Sequence, residues 1–386
     1  MMKLARWTLL LGLMISLSAG CSTDIREISD VALVMITGID YDKEQNKYTF
    51  TAYSILPSTT SMENSSKQNE WVASAQGISI MDAARNLRSR AGKTLDWQHD
   101  KFFIIGEEAA THALYEIIDY MTRSREIRIS SYIIVSEGKA ADKLAVRSET
   151  NDLIANDFLG RTTNEHLWGK SISLMVKDVS NLFSNPYRGF VTGRLSLDKP
   201  VNSSKEVLLL SGGSVFNKGK FVDWLKGKDT IAVYLLSKKR EWSKLEFPVM
   251  VQFNSTNVTI LMQFPKKTLQ FRQTDEGMTL EIDVSLKAAL MDMDHPLQLS
   301  RPGALEQLEK AASEEVEQML AGSLNHFQKE LKVDVLGFSD YIRQHHPREW
   351  SRMKANWDEL YPAIPVHIHV NVQFSRIGMS QVLEGT

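Results

Sequence analysis

The sequence contains very little cysteine, with one residue, Cys21, in a chain of 386. A single thiol excludes disulfide bonds within the chain and a zinc site built from several thiolates. Charge of one sign is also scarce, because 45 Lys and Arg residues balance 47 Asp and Glu residues, for a formal charge of −2. This balance gives no electrostatic reason to expect a nucleic acid partner. The fold must therefore be stabilised by packing.

Long apolar runs are missing except near the N-terminus. Residues 7–17 form a largely apolar run of 11 residues, with Lys3 and Arg6 before it and the small residues 18–20 after it. This run is too short to cross the core of a bilayer, which takes ~20 residues of helix. A basic start, an apolar run and small residues together predict a signal peptide over residues 1–20 that is removed from the mature protein.

Cys21 follows the small residues directly, and this arrangement resembles the bacterial lipobox. One departure is Ser18, which stands where the usual leucine lies three residues before the cysteine, while Leu17 is one place earlier. We expect Cys21 to become the mature N-terminus, with a diacylglyceryl group on its sulfur and an acyl chain on its amine. Several acyl chains hold a protein stably at a membrane. The alternative is an ordinary secreted protein with one free cysteine.

Motifs that carry catalytic chemistry are also missing, since the sequence has no G-x-S-x-G, no H-E-x-x-H and no P-loop. Residues 213–220 come nearest to a P-loop, but their glycine spacing predicts a hairpin turn instead. His367 and His369 share one face of a predicted strand, which favours a solvated surface over a metal site. Glu107 and Glu108 begin a predicted helix, where carboxylates are favourable. We therefore predict no catalytic residues, no metal, no cofactor and no enzymatic activity.

The mature chain is too long for one ordinary core, and its pattern predicts the α+β class with three domains. Each domain is expected to have a mixed or antiparallel sheet with flanking helices. The predicted boundaries are 21–145, 146–245 and 246–386.

In the first domain, apolar patterning predicts alternating strands and helices. The strands are expected at 31–36, 48–56, 71–75, 101–105 and 131–135, and the helices at 79–91 and 107–123. The strand–helix–strand unit over 101–135 predicts a right-handed crossover that joins two parallel strands.

A helix at 140–159, interrupted near Arg147 to Thr150, is predicted to lead into the middle domain. Further helices are predicted at 172–183 and 224–236, with strands at 189–197, 207–210 and 214–216. In the last domain we expect strands at 258–264, 269–273, 279–290 and 366–374, and a long helix from Pro302 to Leu331. Pro347 is predicted to start a further helix with Trp350 and Trp357 on one face.

Five stretches in order resemble the Ger(x)C family, the lipoprotein subunits of nutrient germinant receptors in spore-forming bacteria. They are Arg26-Glu-Ile28 with Gly38-Ile-Asp40; His99 to Glu107; Arg123 to Arg128; Gly212 to Phe216 with Trp224-Leu225; and Asp334 to Phe338 with Pro347, Trp350, Trp357 and Pro362. Each stretch is weak by itself, but their order covers nearly the whole mature chain.

The resemblance implies three α+β domains and a place on the outer face of the spore inner membrane. It also implies two integral membrane partners, an A-type subunit with a large soluble portion and a transporter-like B-type subunit. Together such subunits sense nutrients and trigger germination, and no catalytic residue is implied. Two alternatives remain open from the residues: a solute-binding lipoprotein, which would need a pocket with convergent polar groups, and an extracytoplasmic hydrolase, which the missing motifs disfavour.

Overall fold

The structure is a computed structural model that describes residues 30–57, 70–150, 152–202, 204–237, 244–274, 277–297, 299 and 301–376. These residues form two β-sheets, one of ten strands and one of four, together with helices that pack on both. The predicted α+β class is confirmed.

The first sheet is mixed, with parallel strands at its centre. Its strands are β1 (Val31–Asp42), β2 (Lys47–Ile55), β3 (Glu70–Gly77), β4 (Thr94–Asp96), β5 (Phe102–Gly106), β6 (Tyr132–Ser136), β7 (Leu174–Met175), β8 (Phe190–Asp198), β9 (Val207–Asn217) and β10 (Lys220–Leu225). The order is β10-β9-β8-β6-β5-β1-β2-β3, with β4 beside β1 and β7 beside β6. The predicted parallel pairing of β5 with β6 is confirmed.

Both faces of this sheet are covered, which explains why β5 is a continuous apolar run with every residue buried. The helices are α1 (Ile80–Arg90), α2 (Glu107–His112), α3 (Leu114–Arg123), α4 (Ala140–Leu144), α5 (Ile154–Trp168) and α6 (Val176–Phe183). α1, α2, α3 and α6 pack on one face, and α4 and α5 pack on the other. The helix predicted over 107–123 divides at Ala113 into α2 and α3.

The second sheet has the order β11-β12-β13-β14. Its strands are β11 (Phe247–Phe253), β12 (Thr256–Thr274), β13 (Gly277–Met293) and β14 (Val366–Arg376). β14 pairs with β13 in parallel, and the other neighbours are antiparallel. Ile368 and Val372 are buried whereas His367 and His369 are exposed, so the predicted alternation is confirmed. The strands expected at 258–264 and 269–273 are one strand, with a register shift between Gln263 and Lys266.

The remaining helices are α7 (Lys228–Leu236), α8 (Ala304–Asn325), α9 (Phe338–His345), α10 (Pro347–Met353) and α11 (Trp357–Leu360). α8 begins at Ala304, two residues after the predicted start at Pro302. It buries a stripe of apolar side chains and contacts both edge strands, β11 and β14. It is shorter than expected because the chain continues as a π-helical turn over His326–Glu330. Trp224 belongs to β10, so the helix expected from 224 begins at Lys228.

Three separate sheets were expected, but the described residues form two. The strands of the predicted middle domain, β8, β9 and β10, extend the first sheet because β8 pairs with β6 across residue 145. Val191, Val215 and Leu225 of these strands also belong to the same buried core as the second sheet. The positions of the domain boundaries stay a prediction.

Candidate functional site

Cys21, the residue with the most specific predicted role, lies outside the described residues, as do the predicted signal peptide and the stretch from Arg26 to Ile28. Within the part of the chain that the structure describes, no helix is long and apolar enough to cross a membrane. Lipid attachment at Cys21 therefore stays a prediction.

The histidines and the glycine-rich stretch adopt the local structures expected for them. His367 and His369 lie on the exposed face of β14, and the described residues include no group of three or more His, Cys, Asp or Glu arranged to hold a metal ion. Residues 213–220 end β9, turn and begin β10, with positive φ angles of 50° at Lys218 and 74° at Gly219. The predicted hairpin turn is confirmed.

Glu107 and Glu108 occupy the first turn of α2, and both side chains bind backbone groups of other segments. Glu107 Oε2 accepts a hydrogen bond from the N–H of Gly138 at 2.9 Å, and Glu108 Oε1 accepts one from the N–H of Lys43 at 3.2 Å. These carboxylates connect the loops that follow β1, β5 and β6. Their role here is to hold the ends of the parallel strands together.

Asp40, at the end of the Gly38-Ile-Asp stretch, belongs to the same region. Its carboxylate accepts hydrogen bonds from Ala140 N at 2.7 Å and Ala141 N at 3.0 Å, the first two residues of α4. A Cβ on Gly106 would lie 2.0 Å from Asp40 Oδ1, so a glycine is needed at that position. Burial raises the pKa of Asp40, although the two N–H groups act in the opposite direction.

Asp100, in the second family-like stretch, is completely buried below the central strands. Its carboxyl group accepts hydrogen bonds from the hydroxyl of Thr37 and the N–H of Phe102, and Ser131 Oγ donates to its carbonyl oxygen. Burial raises the pKa of the Asp100 carboxyl group to about 8, and the hydrogen bonds from Thr37 and Phe102 lower it by a smaller amount. Asp100 therefore connects β1, β5 and the start of β6 through its buried carboxyl group and its carbonyl oxygen.

The last family-like stretch, Asp334 to Phe338, forms the junction between the two sheets. The buried carboxylate of Asp334 accepts hydrogen bonds from the backbone N–H groups of Gly337 at 2.8 Å, Phe338 at 3.0 Å and Ser339 at 2.8 Å. These bonds fix the turn that starts α9. Burial raises the pKa of Asp334, although hydrogen bonds from Ser339 and Phe338 and the charge of Arg188 act in the opposite direction.

Residues 185–189, just before β8, dock against this turn. Arg188 Nη1 lies 2.8 Å from Asp340 Oδ2, Asn185 Nδ2 donates to Asp340 Oδ1 at 3.1 Å, and Gly189 N donates to the carbonyl oxygen of Asp334 at 3.2 Å. A Cβ on Gly337, whose φ is 78°, would lie 2.8 Å from the Arg188 guanidinium carbon. Glycine therefore permits both the turn and the close approach of the arginine.

The pKa of Asp340 reflects the same contacts. Partial burial acts against ionisation of this carboxyl group, but hydrogen bonding and charge from Arg188 and Arg343 outweigh it and hold the pKa below its usual value. An ionised Asp340 thus binds the loop before β8 to the start of α9.

Aromatic side chains extend the junction. The ring centroids of Tyr187 and Trp350 are 5.0 Å apart, those of Trp350 and Trp357 5.3 Å, and those of Trp357 and Tyr361 5.8 Å. Trp350 and Trp357 are both buried, although residues 354–356 form a short 3₁₀ segment between their helices. The prediction of one helix with both tryptophans on one face is wrong, because the two residues lie on separate helices. Both rings nevertheless pack in one core with Phe374 of β14, as their apolar character predicts.

Sequence patterning predicts the α9–α11 side of this junction but not its other side, residues 185–189. The available signal was a turn: Pro186 and Gly189 flank Tyr187 and Arg188. An aromatic residue and a cation inside such a turn had no predicted role. The geometry can hold two sheets in one arrangement. It does not bring together a nucleophile, a base and an oxyanion donor among the described residues.

Two family models of spore germination proteins match this chain. Residues 24–197 match the model described as "Spore germination protein N-terminal domain", and residues 211–378 match "Spore germination B3/ GerAC like, C-terminal". The chain belongs to the Ger(x)C family. The two matched segments meet between β8 and β9, inside the first sheet.

Relatives of the Ger(x)C chain span its length. Spore germination protein KC of Bacillus subtilis (strain 168) is 24% identical, covering 93% of this chain and 92% of the relative. Spore germination protein B3 of the same organism is 22% identical, covering 89% and 90%. A crystal structure of the GerBC protein superposes with a TM-score of 0.58 at 17% identity, covering 88% of this chain and 96% of that one. This last likeness shows that the fold is shared.

Proposed function

We propose that this protein is the lipid-anchored subunit of a nutrient germinant receptor on the outer face of the spore inner membrane. The observation that carries the proposal is family membership over nearly the whole chain, with Cys21 directly after a signal-like segment. The partners are an A-type and a B-type integral membrane subunit. The protein takes part in nutrient-triggered germination as a binding component and not as an enzyme.

In this proposal Cys21 carries the membrane attachment. The charged residues that follow it, Asp24, Arg26, Glu27 and Asp30, mix both signs, so they add little attraction to anionic lipid. The acyl chains keep the protein at a high local concentration beside its membrane partners. The contacts at the junction between the sheets support the proposal, because they let a tethered subunit present its surfaces in one arrangement.

The proposal is tested by purifying the tagged protein from spore inner membranes under mild detergent. We expect the two membrane subunits to co-purify, and mass spectrometry of the N-terminal peptide to find a lipid-modified Cys21. A chain beginning at Ser22 behind an ordinary cleavable signal serves as the comparison. It should fold, lose membrane attachment in cells without the partner subunits, and give slower nutrient-triggered germination.

Two results would contradict the proposal. Tight membrane binding by the Ser22 chain in the absence of partners would show an attachment other than lipid. A normal germination response to nutrients in spores that lack the protein would show that the protein is not needed in the receptor. Germination with a non-nutrient trigger should stay unchanged in every strain, which controls for general spore defects.

A further inference from the structure

β14 is an edge strand, and α8 runs along its open side. The backbone N–H groups that point outward are paired with helix side chains: Val370 with Glu317 at 3.3 Å, Val372 with Ser313 at 3.0 Å and Phe374 with Glu309 at 2.8 Å. Four residues of helix rise ~6.0 Å and two residues of strand ~6.6 Å, so the two spacings match. This ladder of helix side chains occupies the strand edge from 370 to 374.

The ladder stops at Ala321, the next helix position in the series. The strand residue opposite Ala321 is Ile368. Backbone groups alternate in direction along a strand, so Ile368, two residues from Val370, also points its N–H and C=O away from β13. The methyl group of Ala321 offers no hydrogen-bond acceptor. A cavity of about 370 Å³ opens at this place, lined by Ala321, Leu324, Asn325 and Gln328 from the helical side and by His367 and Ile368 from the strand.

The helical wall of the cavity ends in the π-helical turn His326–Glu330. Gln328 Nε2 donates to the carbonyl oxygens of Tyr361 at 2.9 Å and Ile364 at 3.2 Å, and Lys329 Nζ donates to that of Pro362 at 2.6 Å. These bonds hold the segment that leads into β14, so the cavity is formed in advance of binding.

The groups at the cavity match an extended main chain. Ile368 presents one backbone donor and one backbone acceptor at strand spacing, which is the pair that a peptide uses when it adds to a sheet edge. The exposed Asn325 is the next helix position in the series, opposite Val366, and its amide offers a further donor and acceptor. The volume lies at the lower end of the range for ligand pockets, which limits the occupant to a short segment.

We propose that this cavity binds a short extended segment of another polypeptide, whose main chain pairs with β14 at Ile368. The proposal does not depend on the receptor role, since it follows from the strand edge, the gap in the helix ladder and the cavity alone. The helix side chains close the edge from Val370 to Phe374, and this limits pairing to the end of the strand at Ile368.

The test uses the purified protein with labelled isoleucine and leucine methyl groups and follows their resonances by NMR. The probe is N-acetyl-trialanine methylamide, a peptide main chain with minimal side chains, at millimolar concentration. We expect saturable shifts at Ile368 and Leu324. Ala321→Glu continues the ladder and fills the cavity, and it should weaken binding roughly tenfold or more, the factor that ~1.4 kcal/mol represents. Gln318→Glu adds a negative charge at an exposed position of α8 and should leave binding unchanged.

Hydrogen exchange gives an independent measurement that needs no ligand. The amide of Ile368 should exchange faster than those of Val370 and Val372 in the wild-type protein, and Ala321→Glu should slow it. Equal exchange at all three positions in the wild-type protein would mean that the edge is not open at Ile368 and would overturn the proposal. Unchanged thermal unfolding of both variants shows that the comparison is made between folded proteins.

Other occupants give different results, and each would overturn the proposal. Shifts of the same size from sodium acetate or from free alanine would indicate a small-molecule site. Self-association of the free protein that Ala321→Glu abolishes would indicate a second copy as the occupant. No shift with the peptide probe, or equal binding by Ala321→Glu, would exclude main-chain pairing.

Discussion

The first sheet buries both faces of its central parallel strands, whereas the second sheet exposes one face of β14 and protects the edge of that strand with α8. Their polar groups differ accordingly. In the first sheet, Asp40 and Asp100 are buried carboxyl groups that bind backbone N–H groups and a hydroxyl. In the second, partly buried helix side chains bind the strand edge. A doubly covered sheet must place its polar connections inside the protein, while a sheet with one open face can place them at its margin.

The largest effect is expected at the junction, which belongs to the core shared by both sheets. Trp357→Ala should lower the free energy of unfolding by ~3–5 kcal/mol, because the ring is buried and contacts Trp350 and Tyr361. Denaturant unfolding measures the change. Trp168→Ala is the matched control. Trp168 is 52% exposed, so its replacement should change the free energy of unfolding only a little. Equal stability of Trp357→Ala and the wild type would show that the tryptophan pair is not part of a common core.

A second prediction tests the buried carboxyl group of the first sheet. The pKa of Asp100 is raised to about 8 in the folded state, above the unfolded value. Its favourable contribution is therefore fully present below pH ~3.9 and is lost as the pH rises through about 8. Relative to Asp100→Asn, the wild type should lose stability over this range, on the order of a few kcal/mol.

Thermal unfolding at several pH values measures this difference. Asp223→Asn, at an exposed aspartate, should follow the wild-type pH profile. A wild-type protein that loses no stability relative to Asp100→Asn between pH ~4 and ~8 would contradict the raised pKa of Asp100.

The third prediction concerns the ion pair that joins the two regions. Arg188→Ala and Asp340→Ala should each lower the free energy of unfolding by ~1–3 kcal/mol, because both side chains are about four-fifths buried, at 24% and 19% exposed. The double variant should cost less than the sum of the two single variants. A double-mutant cycle in denaturant measures the coupling. Strict additivity would show that the two groups stabilise the junction independently.

The smallest effect is expected at the edge of the second sheet. Ser313→Ala removes the acceptor for the N–H of Val372 and should cost ~0.5–1.5 kcal/mol. Ser351→Ala is a matched helix substitution whose hydroxyl bonds only the carbonyl of Pro347, and it should cost less. Faster hydrogen exchange at Val372 in the first variant, but not in the second, would sharpen the contrast between the two sheets. Equal exchange of the Val372 amide in both variants would show that the helix side chains do not protect this edge.

Much of the local structure was predictable because patterning reflects burial directly. The continuous apolar run before Glu107 indicated a doubly covered strand, and the alternation after Pro365 indicated a strand with one exposed face. Pro347 and Gly303 marked helix starts that the structure contains. The break at Ala113 was not predictable, because the apolar spacing continues across it and the tertiary packing of α2 and α3 decides the division.

Composition and periodicity identify the single cysteine, the signal-like segment, the missing catalytic motifs and most strands and helices. Which sheet the strands join depends on tertiary contacts, because the pairing of β8 with β6 is made between segments that are distant in sequence. The roles of Arg188 and Ala321 were decided in the same way. Arg188 matters through Asp340, far away in sequence, and Ala321 matters through an acceptor that it lacks opposite Ile368. A one-dimensional pattern records periodicity within a segment, whereas hydrogen bonds between distant segments exist only after the chain has folded.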